Sequence, residues 1–587
     1  MDGTCFAKLS LRRSLDSAPL PALLVVALIS VGCSAVAAQP GATPASLVIV
    51  NGRVYPADGS GRVHEAIAMR GNRIAAVGSR AEIEALRGPA TEVLDASGGA
   101  VIPGLIDSHV HLLMGAETLD QVNLRGVTDA AEAQRRIREW RAAHADRSWI
   151  RGQGFYTAFT RQQLDAATGD TPAHFLSGDA HSCLVNSAAL RLAGITRNTA
   201  DPPGGRIARD PTTGEPTGHL LETAQTLMYS ALPPLTQADM RQLLALATAE
   251  AHRAGVTTAV VVGGSEEIDA YDAARAAGAL ALRIRMALWL REQPSGPGLP
   301  SRFDFSEREA DHFDEIRRRH KDDALLRTSL VKIMLDGVIE SHTAAMLAPY
   351  SDRSDTSGAT NYTADALTTA IGMMDRRGWQ VMTHALGDKA VRMALDAYEK
   401  VAGANPVPSQ GRRHRIEHIE AIDPADVSRF GKLGVIASLQ PAHAGGMNNP
   451  ARSSQRWTNI GYERSAWGFP WRSIRESGGR VVFGSDWPVA SLNPGRAMAV
   501  AVNRLEHPPV PGQRLTMPEV LAAYTADAAY GIFDDSQLGS LKPGLLADVV
   551  VLSRDILTAP PETNDDFVVG ATVFDGRVVY RRADAVH

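Results

Sequence analysis

The sequence predicts an α/β protein, a (β/α)8 TIM-like barrel with an inserted region, joined to a small β-sandwich built from both chain ends. Three observations predict it. Short apolar or β-branched runs alternate with helical patterns through the middle of the chain, as repeated βα units do. Both ends carry another pattern, short strands punctuated by turn signals, and two β-rich ends around a different middle suit one sandwich. Chemically active side chains fall on or just past the ends of the middle strands, where such barrels keep their chemistry. An open doubly wound sheet is the rival, but no glycine-rich phosphate loop follows an early strand.

Residues 1–38 read as a secretory signal peptide. Arg12 and Arg13 precede an apolar run from Leu20 to Val31, and small residues follow, with Val36 and Ala38 at the cleavage positions. The run is too short for a comfortable transmembrane span. A competing reading makes Cys33 a bacterial lipoprotein cysteine, although Ser30 stands where such signals prefer leucine. The arginine pair also suits a twin-arginine export signal. The expected location is therefore exported, periplasmic or secreted, with a lipid anchor at Cys33 as the alternative. Cys5 and Cys33 leave with the signal, so Cys183 stands alone, without an intramolecular disulfide, as a buried small hydrophobe.

Residues 39–103 are expected to form the first part of the sandwich. Leu47–Val50 runs into Asn51-Gly52, a hairpin signal because both residues tolerate positive φ. Ala66–Met69 runs into Gly71-Asn72, and Ile74–Val77 into Gly78. Residues 104–505 are assigned to the barrel, 506–537 to a helical segment and 538–587 to the returning part of the sandwich. The barrel strands are read at residues 104–111, 256–262, 282–288, 330–334, 379–384, 415–418, 434–439 and 480–486. Residues 112–240 exceed one βα connection and read as an insertion over the barrel mouth, with Pro202–Gly218 as a loop inside it.

The chain has 587 residues, 44% hydrophobic and 21% charged, which supplies a large core and allows two or more domains. The net charge of -5 is spread without long single-sign blocks, which excludes a phosphate-tracking surface and any nucleic-acid partner.

The site is expected around Gly104–His111. Residues i and i+2 of a strand share a face, so His109 and His111 project together, with Asp107 behind them. Two imidazoles converging from one strand make half of a divalent metal site. Lys332 lies on the fourth strand, His384 ends the fifth, His418 the sixth and Asp486 the eighth. Burying all of these without a metal would cost several kcal/mol of unpaired polarity. His181 and Asn186, on the insertion, either contact substrate or form a loop-stabilising hydrogen-bond pair. For His219 and His443 the structural reading is preferred. Met114 and Trp487 flank the site as apolar wall or as packing.

The pattern resembles the amidohydrolase superfamily over nearly the whole mature chain. Gly104-Leu105-Ile106-Asp107-Ser108-His109-Val110-His111 matches its first-strand motif, Gly484-Ser485-Asp486-Trp487-Pro488-Val489 its eighth-strand motif, and Lys542–Asp548 the return into its β-sandwich. Val331–Gly337, His181–Ser187 and Arg415–Glu420 are similar to the branch that includes N-substituted formamide deformylases. The resemblance implies that His109, His111 and Asp486 bind the more buried metal, and that His384 and His418 bind the more exposed one. Lys332 bridges both if its amine is carboxylated by carbon dioxide, since a bare ammonium has no lone pair for a metal. If Lys332 is unmodified, the site holds one metal, and the lysine pairs with Asp336 or substrate. Zinc is the default ion from the ligand types. Asp486 would act as general base and then general acid on water activated by the ion.

The function expected is an exported, metal-dependent amidohydrolase cleaving the C–N bond of an N-acyl or N-formyl small molecule. A lactone or ester hydrolase is the first alternative, since the same water attacks those carbonyls. An isomerase or dehydratase and a non-catalytic surface binding protein are the others. The expected partner is a small-molecule amide, and a homo-oligomer is compatible with the sequence.

Overall fold

The computed structural model describes residues 43–155, 159–178, 182–202, 205–233, 235–290, 305–448, 455–505, 510–560 and 568–583. The proposed signal peptide, with Cys5 and Cys33, and the candidate His181 lie outside the described residues. Among the described residues no helix is long and apolar enough to cross a membrane.

The centre is an eight-stranded parallel sheet. Its strands are β1 (Leu105–Val110), β2 (Val256–Gly263), β3 (Arg283–Trp289), β4 (Leu326–Met334), β5 (Gln380–Ala385), β6 (Arg415–His418), β7 (Ile436–Leu439) and β8 (Arg480–Phe483). They neighbour one another in chain order, as a barrel requires and a doubly wound sheet forbids. Strands such as Val256–Gly263 are buried at every residue, so they carry continuous apolar runs rather than alternation. Ile106, Val260, Val262, Ala287, Leu330, Met382, Ile436 and Val482 form an interior cluster with Ala528, Ala529 and Ile532, from the helix Ala526–Gly531 and its C-cap. That C-terminal segment therefore plugs the barrel floor.

The barrel closes where the site lies. The Asp486 N–H donates to the His109 carbonyl at 2.7 Å, and the Ser485 N–H to Asp107 Oδ1 at 3.0 Å. Gly484 permits this approach, because a Cβ there would lie 2.5 Å from the His109 nitrogen. A β-bulge in β1 resets the alternation at the site: Asp107 to Val110 takes three steps where the partners Ala259 to Val261 take two.

Two expectations about turns are corrected. Asn51-Gly52 does not close a hairpin. Leu47–Val50 belongs to a four-stranded sheet, whereas Arg53–Val54 pairs with Ala100–Pro103 in a five-stranded one. The turn carries the chain between sheets: Asn51 takes φ 57°, and a Cβ on Gly52 would sit 2.7 Å from Val101 Cγ2. The same residue preferences serve a hairpin and a close sheet-to-sheet corner, so the dipeptide does not distinguish them. The five-stranded sheet is completed by Val549–Leu552, Val569–Phe574 and Arg577–Arg581 from the C-terminal end. Its inner face packs on the N-terminal sheet through Leu47, Ile49, Ile67, Leu94, Val549, Val551 and Val573.

Pro202–Gly218 is the second correction. Gly205–Arg209 and Pro216–Glu222 pair antiparallel at the edge of a six-stranded sheet inside the insertion. Gly205 and Pro216 start the strands and Pro211 and Gly214 lie in the connection, where an edge hairpin tolerates them, while Gly218 sits inside the second strand at φ 91°. Asp210 organises that turn by accepting the N–H groups of Thr212 and Thr213. The insertion meets the barrel mouth through Arg125, which donates to the carbonyls of Pro488 and Val489. The helix leading into β2 begins earlier than its apolar run shows, at Gln237, because Thr236 and Asp239 form a capping box. Leu112–Leu119 packs on that helix, so it lines the barrel rather than the insertion.

Candidate metal centre

Six expected residues, His109, His111, Lys332, His384, His418 and Asp486, meet at the C-terminal mouth of the barrel. Asp486 Oδ1 lies 3.5 Å from His109 Nε2 and 3.3 Å from His111 Nε2. His418 stands beside His109 and His384, with ring centroids 4.9 and 4.6 Å apart. Two of these residues hold a left-handed backbone, His418 at φ 75° and Asp486 at φ 56°. Such conformations persist only where the surroundings over-determine them, and they cluster at functional sites. Here they turn the side chains inward as β6 and β8 end.

His109 is oriented from behind. Its Nδ1 donates to Glu417 Oε2 at 2.6 Å, and Glu417 is held in turn by Arg415 Nε at 2.6 Å. Arg415 also donates to the Ser108 carbonyl and to Ser438 Oγ, each at 2.6 Å. All three charged or polar side chains are fully buried. Burial works to raise the Glu417 carboxyl, but Arg415 and His109 bring it down to about 2. Burial and the neighbouring Lys332 bring the His109 imidazole down to about 4. The ring is therefore neutral near pH 7, with its proton on Nδ1 and a lone pair on Nε2. A carboxylate behind a histidine fixes ligand histidines in this way.

Lys332 Nζ sits 3.3 Å from that same His109 Nε2. Burial lowers the Lys332 amine to about 8 against the pull of Glu417 and Asp486. As an ammonium it donates to the lone pair a metal would use, so ammonium and ion compete for one atom. Asp336 is not the lysine's structural counterpart. It accepts the backbone N–H groups of Ala345, Leu386 and Gly387 at 2.9–3.0 Å, pinning the loops after β4 and β5.

His384 is buried, and burial together with Lys332 brings its imidazole down to about 3. Its Nε2 lies 3.2 Å from the Gly337 carbonyl, so the proton belongs there and Nδ1 is the atom left for an ion. His418 Nδ1 lies 2.9 Å from Gln440 Oε1. Burial works to raise the Asp486 carboxyl, but His109, His111 and His418 hold it well below the ordinary carboxylate range. Asp486 is thus an anion, and its buried Oδ1 has no hydrogen-bond partner. An orphaned carboxylate oxygen facing two imidazole nitrogens fits a divalent cation. Two groups bring their donor atoms within 4.8 Å of one another: His109–His111–Asp486 and His418–His443–Asp486.

Several expectations fall elsewhere. Asn186 does not reach out to a substrate; it is fully buried and caps the helix Ser187–Leu192. Its oxygen accepts from Ala173 and Ala189 N–H at 3.0 and 2.9 Å, and its nitrogen donates to Thr168 and Thr171 at 2.9 Å. Every polar position is used, which leaves nothing for a ligand. Asp107 faces the β1–β8 seam, accepting from His109 and Ser485 N–H. Trp487 is buried packing over Gly115. His219 Nε2 lies 3.1 Å from the Phe159 carbonyl. Cys183 is buried, and burial pushes its thiol up to about 12, far from a nucleophile.

The sequence reading passed over Glu417, Glu420, Gln440 and Trp289, and gave His443, which stands at the mouth 4.0 Å from Asp486 Oδ2, a structural role. Glu417 and Glu420 flank His418 in a quoted motif, which was their only signal. Trp289, at the end of β3, is 38% exposed and stands edge-on to His111 at 6.4 Å, an aromatic wall beside the ligands.

A family model described as amidohydrolase family matches residues 92–580. The protein LONG AFTER FAR-RED 3 of Arabidopsis thaliana is 32% identical over 542 residues, covering 88% of each chain. The N-substituted formamide deformylase of Arthrobacter pascens is 29% identical over 564 residues, 91% of this chain and 98% of its own. An uncharacterized metal-dependent hydrolase from Pyrococcus furiosus has the same fold, with TM-score 0.67 at 24% identity, covering 85% of this chain and 97% of its own.

Proposed function

We propose, from the premise that this chain belongs to the amidohydrolase family and is a metal-dependent hydrolase of carbon–nitrogen bonds, that its substrate is an N-acyl or N-formyl small-molecule amide. The observation that carries the reading is Asp486 Oδ1 at 3.3 and 3.5 Å from His111 and His109, a buried carboxylate oxygen without a hydrogen bond facing two imidazoles. The formyl end of the range is supported by the deformylase relative, which matches over nearly its whole length.

The ion is proposed to be zinc, held by His109, His111 and Asp486, with His384 and His418 for a second ion and Lys332 bridging once carboxylated. When bound, a divalent ion supplies Lewis acidity, lowering the pKa of water and polarising a carbonyl. The rest of the chemistry belongs to the chain. Glu417 keeps the His109 proton on Nδ1. Asp486 takes the proton from the attacking water and delivers it to the leaving nitrogen, which departs as an amine rather than an amide anion. Carboxylation of Lys332 needs a neutral amine to attack carbon dioxide. A value of about 8 leaves roughly a tenth of the side chains neutral at pH 7. Trp289 offers an apolar face to the nitrogen substituent.

Export is part of the same proposal. It is supported by the basic, apolar and small-residue segments ending at Ala38, with Cys33 as the lipid-anchored alternative. Edman sequencing of the mature protein distinguishes cleavage after Ala38 from a blocked chain beginning at Cys33.

The substrate test is a panel of N-formyl and N-acyl amides run beside esters and lactones on metal-loaded protein, with released acid measured. Amide turnover that disappears on chelation is the expected result. Ester or lactone turnover with no amide turnover contradicts the reading.

A further inference from the structure

We propose that the floor of the barrel, at the end away from the metal centre, carries a binding site for the phosphate group of a small organic phosphate. The inference is independent of the reading of the metal centre and of the substrate proposed for it.

The site is a cavity of about 480 Å³ where the helix Glu307–Arg319 ends, β4 begins and residues 408–411 lead towards β6. β4 is irregular there. Met286 of β3 pairs with Thr328 and Ala287 with Leu330, so Ser329 is the extra residue of a β-bulge. A bulge re-aims side chains, and here two successive hydroxyls line one cavity. Thr328 Oγ1 and Ser329 Oγ are buried and have no hydrogen-bond partner. Thr328 as a whole is fully buried. Adjacent buried hydroxyls without partners call for an explanation, and an anion that accepts from both supplies one.

Four cationic side chains line the cavity with these hydroxyls, against one carboxylate, Asp322. Arg318 and Lys321 are exposed and, among the described residues, stand in no ion pair. Arg317 spends Nη2 on Asp314 Oδ1 and the Arg377 carbonyl, at 2.7 and 2.8 Å. Its Nη1 faces Gly378, also in the lining, where a Cβ would stand 3.9 Å away. Arg327 spends Nη2 on Asp534 and on the Ile532 carbonyl. A guanidinium carries five N–H groups, so both arginines keep donors for a ligand. Guanidinium, ammonium and hydroxyl donors together exceed what the two oxygens of a carboxylate use. A phosphate group brings three strong acceptor oxygens and close to two negative charges, which fits the set. Phe533 is half-buried and closes one wall, offering an apolar face to the organic part. Its backbone is left-handed, at φ 60°, and such strain gathers at ligand clamps.

The test is calorimetric titration of the full-length mature protein with phenyl phosphate and, separately, with benzoate. Wild type is compared with Ser329→Ala and with the double variant R318E/K321E. Ser329→Ala removes a hydroxyl that has no partner and the other two changes are on the surface, so the fold is retained, and thermal midpoints check it. The expected result is one phenyl phosphate per wild-type chain and benzoate bound at least about tenfold more weakly. Ser329→Ala is expected to weaken phenyl phosphate by about tenfold, as loss of a hydrogen bond to a charged group does. The double variant, which reverses two charges at the rim, is expected to weaken it further. Equal binding by all three proteins would put the anion elsewhere, as at the metal centre, and overturns the proposal. So does wild type without saturable binding below about 10 mM, an adventitious ion only. Benzoate bound as tightly as phenyl phosphate would overturn the assignment to phosphate.

Discussion

Asp486 Oδ1 stands 3.3 Å from His111 Nε2, across the seam where the last strand of the barrel meets the first. The two residues are 375 positions apart in sequence, since 486 minus 111 is 375, and only closure of the barrel brings them together. Gly484, the Asp486 N–H bond to the His109 carbonyl and the Asp107 clamp on Ser485 all serve that closure. Site and fold are therefore coupled at one place, and the predictions below separate their contributions.

Asp486→Asn keeps the side-chain shape but loses the anion. Turnover is expected to fall by about a thousandfold or more, since the charge and the proton acceptor both vanish. The thermal midpoint of the metal-free protein is expected to change little. Unchanged kcat would remove Asp486 from its assigned role.

Glu417→Gln keeps a hydrogen bond to His109 but leaves Arg415 without its carboxylate. Loss of one partner of a buried ion pair costs about 3–5 kcal/mol. Loss of the carboxylate behind a ligand histidine weakens metal binding about 10–100-fold. Denaturant titration and metal-competition titration read the two effects separately. Full metal affinity in the variant would show that the support of His109 does not matter.

Asn186→Ala separates a helix cap from a substrate contact. The loss of four hydrogen bonds around one buried cap is expected to lower stability by about 1–3 kcal/mol. KM of the folded variant should stay close to wild type. A raised KM without loss of stability would restore the substrate-contact reading.

Asp375 links stability to pH far from the site. Arg412, His414 and Asn405 all donate to it, tying the approach to β6 onto the helix Ala364–Arg376. Burial works to raise this carboxyl, but His414, Arg412 and Asn405 hold it well below the carboxylate range. A depressed carboxyl contributes stability that is present above the unfolded pKa of about 3.9 and lost as pH falls below it. Asp375→Asn is therefore expected to destabilise the protein at pH 7 and to differ less from wild type near pH 3. Equal destabilisation at both values would show that the charge is not what Asp375 contributes.

Much of the barrel was legible because its strands are buried on both faces and therefore carry uninterrupted β-branched runs. His109, His111, Lys332, His384, His418 and Asp486 were legible because they ride on those strands at fixed positions relative to the mouth. What supports them was not. Glu417 and Glu420 acquire meaning only from Arg415, His109, Arg456 and His443, partners chosen by tertiary packing. Asn51-Gly52 and Pro202–Gly218 failed for a related reason. Local turn chemistry states that the chain bends, and the register of distant strands decides which sheet it bends into.

The central claim is that the grouped imidazoles and Asp486 hold a divalent ion that amide hydrolysis requires. Its most direct test is amide turnover measured against bound metal, first after chelation and then during stepwise return of zinc. Activity is expected to vanish in the folded metal-free protein and to return in proportion to the ion restored. Full turnover by folded protein that contains no metal would contradict it.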